Sequence, residues 1–216
     1  MDLTIQPIFG LPDPPSTAWV DDVLSAVHDD AGALVSRAMS TSGDDGAPDG
    51  LITLWRDTGS ASTGPAAPAV DAGGGVRLGA GRRYTVTGHF AGAATGPARY
   101  LRQASFDGPR TPRWTAAFDR AGTERIWPAL RDLPGIVATL AGRADDGATV
   151  MYLLAETIEA LEAATRRVMS TSLLPSEDPA LLTGPDRVEI HRLMHAVLPT
   201  DIPGAQHAVL PTAGPA

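Results

Sequence analysis

The stretch from Gly142 to Met169, GRADDGATVMYLLAETIEALEAATRRVM, decides the fold because it joins a hairpin to a long helix without a break. Asp145-Asp146-Gly147 is a turn signal between two runs rich in β-branched and apolar residues, which predicts a β-hairpin. From Thr157, a suitable helix cap, apolar residues recur at helical spacing. Two arginines, Arg166 and Arg167, lie in the last turns, where cations suit the helix dipole.

The segments on either side of this stretch extend the pattern. Residues 114–133 place apolar side chains on one helical stripe, closed by Pro134-Gly135, and Pro128 is expected to kink or divide that helix. Strands are predicted at residues 83–90 (RYTVTGHF) and 186–193 (DRVEIHRL). The order over residues 82–196 is therefore β-α-β-β-α-β, the ferredoxin-like split unit with both helices on one face of an antiparallel sheet.

The first part of the chain repeats this pattern in a weaker form. The later hairpin has the order helix end, strand, Asp-Asp-Gly turn and strand, and the same order recurs in GALVSRAMSTSGDDG followed by GLITLWRD. A first strand is supplied by LTIQPIF. We interpret residues 1–60 as a degenerate ferredoxin-like half of a tandem duplication, although one hairpin can resemble another by chance. Residues 61–81 are rich in Gly, Pro and Ala and are predicted to be a linker or loop. Residues 197–216, with HAVLPT twice, read as a tail that wraps the sheet or a neighbouring subunit, or that is disordered.

Composition and charge exclude several classes of protein. The net charge is -8, and the basic residues are scattered, so a nucleic-acid binder is not expected. The chain has no Cys, which excludes disulfides, thiolate metal sites and a Cys nucleophile. It has no basic leader and no apolar run of membrane-spanning length, so a soluble cytoplasmic protein without membrane contact is expected.

The β-α-β-β-α-β order, the Asp-Asp-Gly hairpin, the strand running into ETIEALEAATRRVM and the last strand DRVEIHRL resemble the antibiotic biosynthesis monooxygenase family. The resemblance covers residues 82–196 and is weaker over the first 60 residues. That family has the dimeric α+β barrel fold, and a tandem copy would supply both halves in one chain. The length and the Gly, Ala and Pro content are also similar to those of the larger members that open a ring of angucycline polyketides.

The resemblance implies an oxygenase that hydroxylates or cleaves a polycyclic aromatic polyketide in antibiotic biosynthesis, with O2 as co-substrate. Small members of the family need no cofactor, whereas the ring-opening members are thought to need reduced flavin, FAD or FMN, or a reduced hydroquinone substrate. A flavin reductase would then be a partner, and a homodimer stays open. Two alternatives also remain, a non-redox cyclase of the same pathway and a non-catalytic binding module.

The candidate catalytic residues lie around the strand at 83–90 and the segment after it. His89 is the first choice for a base because its ordinary pKa lies close to neutral pH. Simple alternation places His89 on the same face of the strand as Thr85 and Thr87, and Tyr84, Val86 and Phe90 on the opposite face. The alternative is that His89 has no catalytic role and caps the end of the strand or hydrogen-bonds a carbonyl. Residues 91–112 are predicted to be a long loop, in which Tyr100 and Arg102 would hold an oxyanion, unless YLRQASF forms a short helix.

Aromatic side chains are the candidates for holding a planar substrate, although aromatics at such positions also form ordinary cores. The residues expected to line the substrate pocket are Phe90, Phe106, Trp114, Phe118, Trp127, Tyr152 and Trp55. His191 and His195 could share a metal ion on a helix but not on a strand, where they would be roughly 13 Å apart. No catalytic metal and no recognisable flavin or phosphate motif are therefore predicted.

Overall fold

The computed structural model describes residues 2–10, 20, 23, 34–42, 49–55, 70–73, 75–197 and 208–209. The described strands are β1 Asp2–Phe9, β2 Leu34–Ser42, β3 Asp49–Trp55, β4 Val70–Gly73, β5 Val76–Leu78, β6 Arg82–Ala91, β7 Tyr100–Phe106, β8 Ile136–Arg143, β9 Thr149–Ala155, β10 Arg187–Val197 and β11 Ala208–Val209. The helices named in this part of the chain are α1 Pro112–Ala121, α2 Trp127–Arg131 and α3 Ile158–Ser170, with a π-helical segment at Gly122–Ile126 and a 3₁₀ turn at Pro179–Leu181.

The hairpin between β8 and β9 forms as the sequence predicts. Gly147 has a φ of 84°, which residues with a Cβ adopt only under strain. Its amide donates a hydrogen bond to the Ala144 carbonyl at 2.9 Å. The Asp146 carboxylate accepts a hydrogen bond from the Ala148 amide at 3.1 Å. These local contacts fix the turn, and the strands that leave it pair from Arg143 and Thr149 onward.

The helices also follow their sequence signals. Thr157 caps α3, because its hydroxyl accepts a hydrogen bond from the Ala160 amide at 3.1 Å. The helix predicted over residues 114–133 stays continuous but changes to π geometry over Gly122–Ile126, and Pro128 stands in the first turn of α2, directly after this segment. No helix in the described part of the chain is long and apolar enough to cross a membrane.

Eight strands form one closed antiparallel sheet. Their order is β3-β2-β10-β7-β9-β8-β6-β1, and β1 pairs with β3 from Asp2↔Trp55 to Ile8↔Asp49, which closes the circle. The short hairpin of β4 and β5 extends from β1 through the pair Ile8↔Leu78. An eight-stranded barrel of this kind has an interior that side chains fill or that holds one small ligand.

Strand β7 corrects the interpretation of residues 91–112 as a loop, because residues 100–106 pair with β9 on one side and β10 on the other. The first strand of the split unit is therefore β7 and not residues 83–90. Helices α1 and α3 belong to this unit, and its strand order is β10-β7-β9-β8. Strand β6 instead joins the other group, which has the order β6-β1-β3-β2. Each group therefore has the same fourth-first-third-second order.

Two further segments differ from simple expectation. Part of the stretch predicted to be a linker, residues 61–81, forms β4 and β5, and Val76 and Leu78 are buried. The alternating apolar residues therefore favour a strand there more strongly than the flanking glycines oppose it. In the predicted tail, Ala208–Val209 pairs with β10 at His195 and Ala196, while the rest of residues 198–216 lies outside the described residues.

The core divides into an inner and an outer cluster. The inner cluster fills the barrel and includes Leu3, Leu101 and Tyr152. The outer cluster joins Phe90 and Leu153 of the sheet to residues of both α2 and α3. The two helices therefore cover one face of the sheet, as the sequence predicts, and the opposite face lines the barrel.

Candidate functional site

A cavity of about 240 Å³ opens at one end of the barrel, and we call it the barrel cavity. Its apolar wall includes Ile5, Ile52 and Phe106. The polar side chains that line it include Tyr84, Gln103, Ser105, Glu189 and His191. Polar groups that converge in a concave site beside apolar side chains are a feature of small-molecule sites.

The polar groups meet because β7 and β10 pair in register. Gln103 lies opposite Glu189, and cross-strand partners present their side chains on the same face. The Gln103 amide Nε2 donates to Glu189 Oε2 at 3.0 Å and to Ser105 Oγ at 3.2 Å. One carboxylate oxygen of Glu189 is thus held in place, and no further hydrogen bond to this carboxylate forms within the described residues.

Two tyrosines stand beside this array. Tyr84 lines the barrel cavity, and burial raises the pKa of its hydroxyl, while Arg82, whose guanidinium lies 5.5 Å from the ring centroid, opposes the rise. Tyr152 lies opposite Gln103 on β9 and is 1% exposed. Burial, assisted by the charges of Tyr84 and Glu189, raises the pKa of the Tyr152 hydroxyl well above its ordinary value, so this side chain stays protonated.

Two ion pairs stand at the mouth of the barrel cavity. Arg82 bonds the Asp146 carboxylate at 2.5 Å, and Arg187 bonds Asp107 at 3.1 Å. All four side chains are about half exposed or more, so solvent screens these pairs and each adds little to stability. The two arginines at the mouth are therefore each matched by a carboxylate.

His89, the predicted base, does not line the barrel cavity. A bulge between Val86 and Gly88 interrupts the alternation of β6. His89 consequently pairs with Leu140, which packs against the inner cluster, while Phe90 turns to the outer cluster. The prediction that His89 lies on the opposite face from Tyr84 and Val86 is therefore wrong. His89 is exposed and lies four strands from Glu189 in the same row, roughly 20 Å along the sheet. Its catalytic role stays a prediction.

Arg102 and Tyr100 occupy the face of β7 that points away from the barrel. Arg102 donates a hydrogen bond to the Thr165 hydroxyl of α3, and burial lowers the pKa of its guanidinium. Tyr100 packs against the outer cluster. Neither lines the barrel cavity. The oxyanion role proposed for these residues also stays a prediction.

The predicted aromatic pocket divides into several sites. Phe106 lines the barrel cavity and also meets Trp114 at a tilt, with ring centroids 5.7 Å apart, and Phe118 edge-on, with centroids 4.9 Å apart. Trp114 and Phe118 stack on each other at 4.9 Å. Phe90 and Trp127 contact each other on the outer face, with centroids 5.8 Å apart. Tyr152 lies inside the barrel, and the side chain of Trp55 lies outside the described residues.

The sequence reasoning did not single out Gln103, Ser105 or Glu189. Their signal is the run of polar residues at alternate positions, Arg187, Glu189 and His191 in RVEIHRL and Gln103 and Ser105 in YLRQASF, which indicates a polar inward face once the strands are known. His191 is buried against the barrel cavity on β10, as expected for a strand and not a helix. Within the described residues, no group of three or more potential metal ligands comes together.

Comparison with known proteins identifies the fold. Neither a protein-family model nor a curated protein sequence matches the chain. Among solved structures, a proposed monooxygenase from Fusobacterium nucleatum is similar with a TM-score of 0.61 and 9% identity, covering 97% of this chain and 98% of that one.

Two further solved structures have related folds. A proposed monooxygenase from Lactobacillus acidophilus has a TM-score of 0.53 and 10% identity, covering 89% of this chain and 92% of that one. A mutant chlorite dismutase from Candidatus Nitrospira defluvii has a TM-score of 0.54 and 13% identity, covering 89% and 90% respectively. At identities this low, the structural similarity establishes a shared α+β fold of the ferredoxin-like type and nothing finer. That fold hosts more than one chemistry.

Proposed function

We propose that this protein is an oxygenase that acts on a small phenolic or hydroquinone-type aromatic compound bound in the barrel cavity. The observation that carries the proposal is the Glu189 carboxylate, which Gln103 holds at 3.0 Å in the wall of the barrel cavity. The similarity in fold to two proposed monooxygenases supports the same class of reaction.

The proposed reaction needs only proton removal by the protein. Glu189 accepts the substrate proton, and the electron-rich ring that results reduces O2. For a hydroquinone the balanced form is hydroxylation to a hydroxyquinone: one oxygen atom of O2 enters the ring as a hydroxyl group, and the other leaves as water with the two hydrogen atoms that the substrate loses. For an anthrone, the ring methylene becomes a carbonyl with the same balance. Tyr84, whose pKa is raised, stays protonated and supplies a hydrogen-bond donor to the developing oxyanion.

The size of the barrel cavity narrows the proposed substrate. Its volume of about 240 Å³ lies below the usual range of roughly 300–1,000 Å³ for ligand pockets. A compound of one or two rings would fit within it. A polycyclic polyketide, including an angucycline, would place one ring in the barrel cavity and the others at the mouth, between Arg82 and Arg187.

The equal strand order of the two four-stranded groups supports an internal duplication. In this proposal, one chain supplies both halves of a barrel that other members of the fold assemble from two, and β6 ends the first half. A requirement for reduced FAD or FMN, and hence a flavin reductase as partner, is part of the proposal only for the ring-opening reaction.

The experiment is oxygen uptake by the purified protein with methylhydroquinone, dihydroxynaphthalene and anthrone, each corrected for spontaneous oxidation and run with and without reduced flavin. Product mass reports the inserted oxygen. Glu189→Gln should lower the rate at least about 100-fold, as expected for a lost general base. Glu162→Gln, at an exposed carboxylate on α3, should leave the rate unchanged.

His89→Gln separates the two candidate bases. If His89→Gln abolishes turnover and Glu189→Gln does not, the base assignment moves to His89. Oxygen uptake at the spontaneous rate with every compound, with and without flavin, would refute the oxygenase. That outcome would favour the cyclase or the binding module. Binding of a compound without formation of any product would then identify the binding module.

A further inference from the structure

Ser105 is a polar group in the wall of the barrel cavity that the proposed reaction does not use. It is 8% exposed and lies on the same strand and the same face as Gln103, two residues nearer to the mouth, where it pairs with Arg187. Its hydroxyl oxygen accepts a hydrogen bond from Gln103 Nε2 at 3.2 Å. Within the described residues this hydroxyl forms no other hydrogen bond.

The Gln103 amide fixes the direction of the hydrogen bonds in this array. Its nitrogen carries two hydrogen atoms, and it donates one to Glu189 Oε2 and the other to Ser105 Oγ. The reverse orientation of the amide would set its carbonyl oxygen against the Glu189 carboxylate, where neither group can donate. Because the Ser105 hydroxyl accepts from Gln103, its own hydrogen atom is left to donate to a ligand.

An acceptor and a donor therefore stand side by side in the wall of the barrel cavity. The acceptor is the Glu189 carboxylate, and the donor is the Ser105 hydroxyl. Both oxygen atoms bond to the same nitrogen, so they lie within two hydrogen-bond lengths, roughly 6 Å, of each other. Two substituents on one edge of an aromatic ring can meet such a pair, whereas substituents para to each other point to opposite edges.

We infer that the barrel cavity selects aromatic compounds that carry a hydroxyl and a second, accepting oxygen on the same edge of one ring. Glu189 accepts from the hydroxyl, and Ser105 donates to the second oxygen, which lies nearer to the mouth. The inference rests on the proposed function for the location of the site, and it adds the relative position of the two groups. A ligand without either group leaves a polar atom of the site unpaired, which is the basis of the selectivity.

Binding measured by calorimetry under argon, with the full chain, tests this arrangement in the unaltered protein and without turnover. The reference compound is meta-hydroxyacetophenone, which carries both groups on one edge. Its para isomer carries them on opposite edges, and meta-ethylphenol lacks the carbonyl. The reference compound should bind about five- to tenfold more tightly than either, the value of one hydrogen bond.

A fourth compound, meta-methoxyacetophenone, lacks the donor. It should bind at least about tenfold more weakly than the reference compound, because the hydrogen bond it loses is the one to a carboxylate.

Ser105→Ala removes the proposed donor. In this variant the reference compound should bind no more tightly than meta-ethylphenol, while its preference over meta-methoxyacetophenone should persist. A merely structural serine would instead change all four affinities together. Ser170→Ala is the matched control, because Ser170 is exposed at the end of α3, where its hydroxyl donates to the Arg167 carbonyl at 3.1 Å. It should leave the four affinities unchanged.

Three outcomes would overturn the inference: a para isomer that binds as tightly as the reference compound, no binding of any of the four compounds, or a Ser105→Ala variant that keeps the full preference over meta-ethylphenol. The proposed function fails separately. Selective binding without oxygen uptake would refute the oxygenase and keep the ligand pattern, whereas oxygen uptake without selective binding would do the reverse.

Discussion

Gly88 offers a sharp test of how β6 packs against the outer helices. A Cβ added at this position would lie 1.9 Å from Cη2 of Trp127, with two more ring atoms within 2.9 Å. Carbon atoms in contact prefer about 3.5–4.0 Å, so Gly88→Ala requires the indole to retreat by roughly 2 Å. The ring is held against Phe90 and is part of the outer cluster, which limits that movement.

The magnitude follows from two opposing terms. Overpacking in a well-packed cluster costs about 1–3 kcal/mol. Replacing a strand glycine by alanine returns about 0.5–1 kcal/mol, because glycine loses more conformational freedom on folding. The difference between the two terms is about 0–2.5 kcal/mol. Because the neighbours of the indole limit its movement, we expect Gly88→Ala to lower the free energy of unfolding by about 1–2 kcal/mol, measured by urea denaturation followed by circular dichroism.

Two controls isolate the clash. Gly184→Ala adds a Cβ that meets no atom within 4 Å, and it should change stability by less than about 0.5 kcal/mol. In a Trp127→Leu background, Gly88→Ala should cost nothing, which gives a coupling energy of about 1–2 kcal/mol. An equal penalty in both backgrounds, or a Gly88→Ala variant as stable as Gly184→Ala, would refute the packing argument and leave Trp127 available for a ligand.

Three further perturbations test other parts of the structure. Arg125→Leu leaves Glu177, only 2% exposed, without its partner at 2.8 Å and should cost about 3–5 kcal/mol in urea denaturation, while replacing both residues by Leu should restore most of it. Because the pKa values of Tyr84 and Tyr152 are raised in the folded state, stability should be full below about pH 10 and fall as pH rises above it; a flat profile there would contradict their burial. Thr157→Ala removes the cap of α3 and should cost about 1 kcal/mol in thermal denaturation.

The sequence predicts those parts of the fold whose signals are local. The Asp145-Asp146-Gly147 turn, the Thr157 cap and the change of helix geometry before Pro128 each depend on a few neighbouring residues. The sequence cannot reveal the bulge in β6, because the extra residue is defined by pairing with β8, which is more than forty residues away. That one bulge decides which face of the sheet His89 occupies.

Strand β7 and the barrel cavity were missed for a common reason. Gln103 and Ser105 stand at alternate positions of β7, but their polar side chains point into the barrel, where an apolar residue is the usual choice. A search for apolar alternation therefore interprets YLRQASF as loop. The residues that conceal the strand are the ones that line the barrel cavity, since a polar inward face weakens the hydrophobic signal by which strands are recognised. In a barrel with a functional interior, a poor strand pattern flanked by good ones is itself an indication of where the ligand binds.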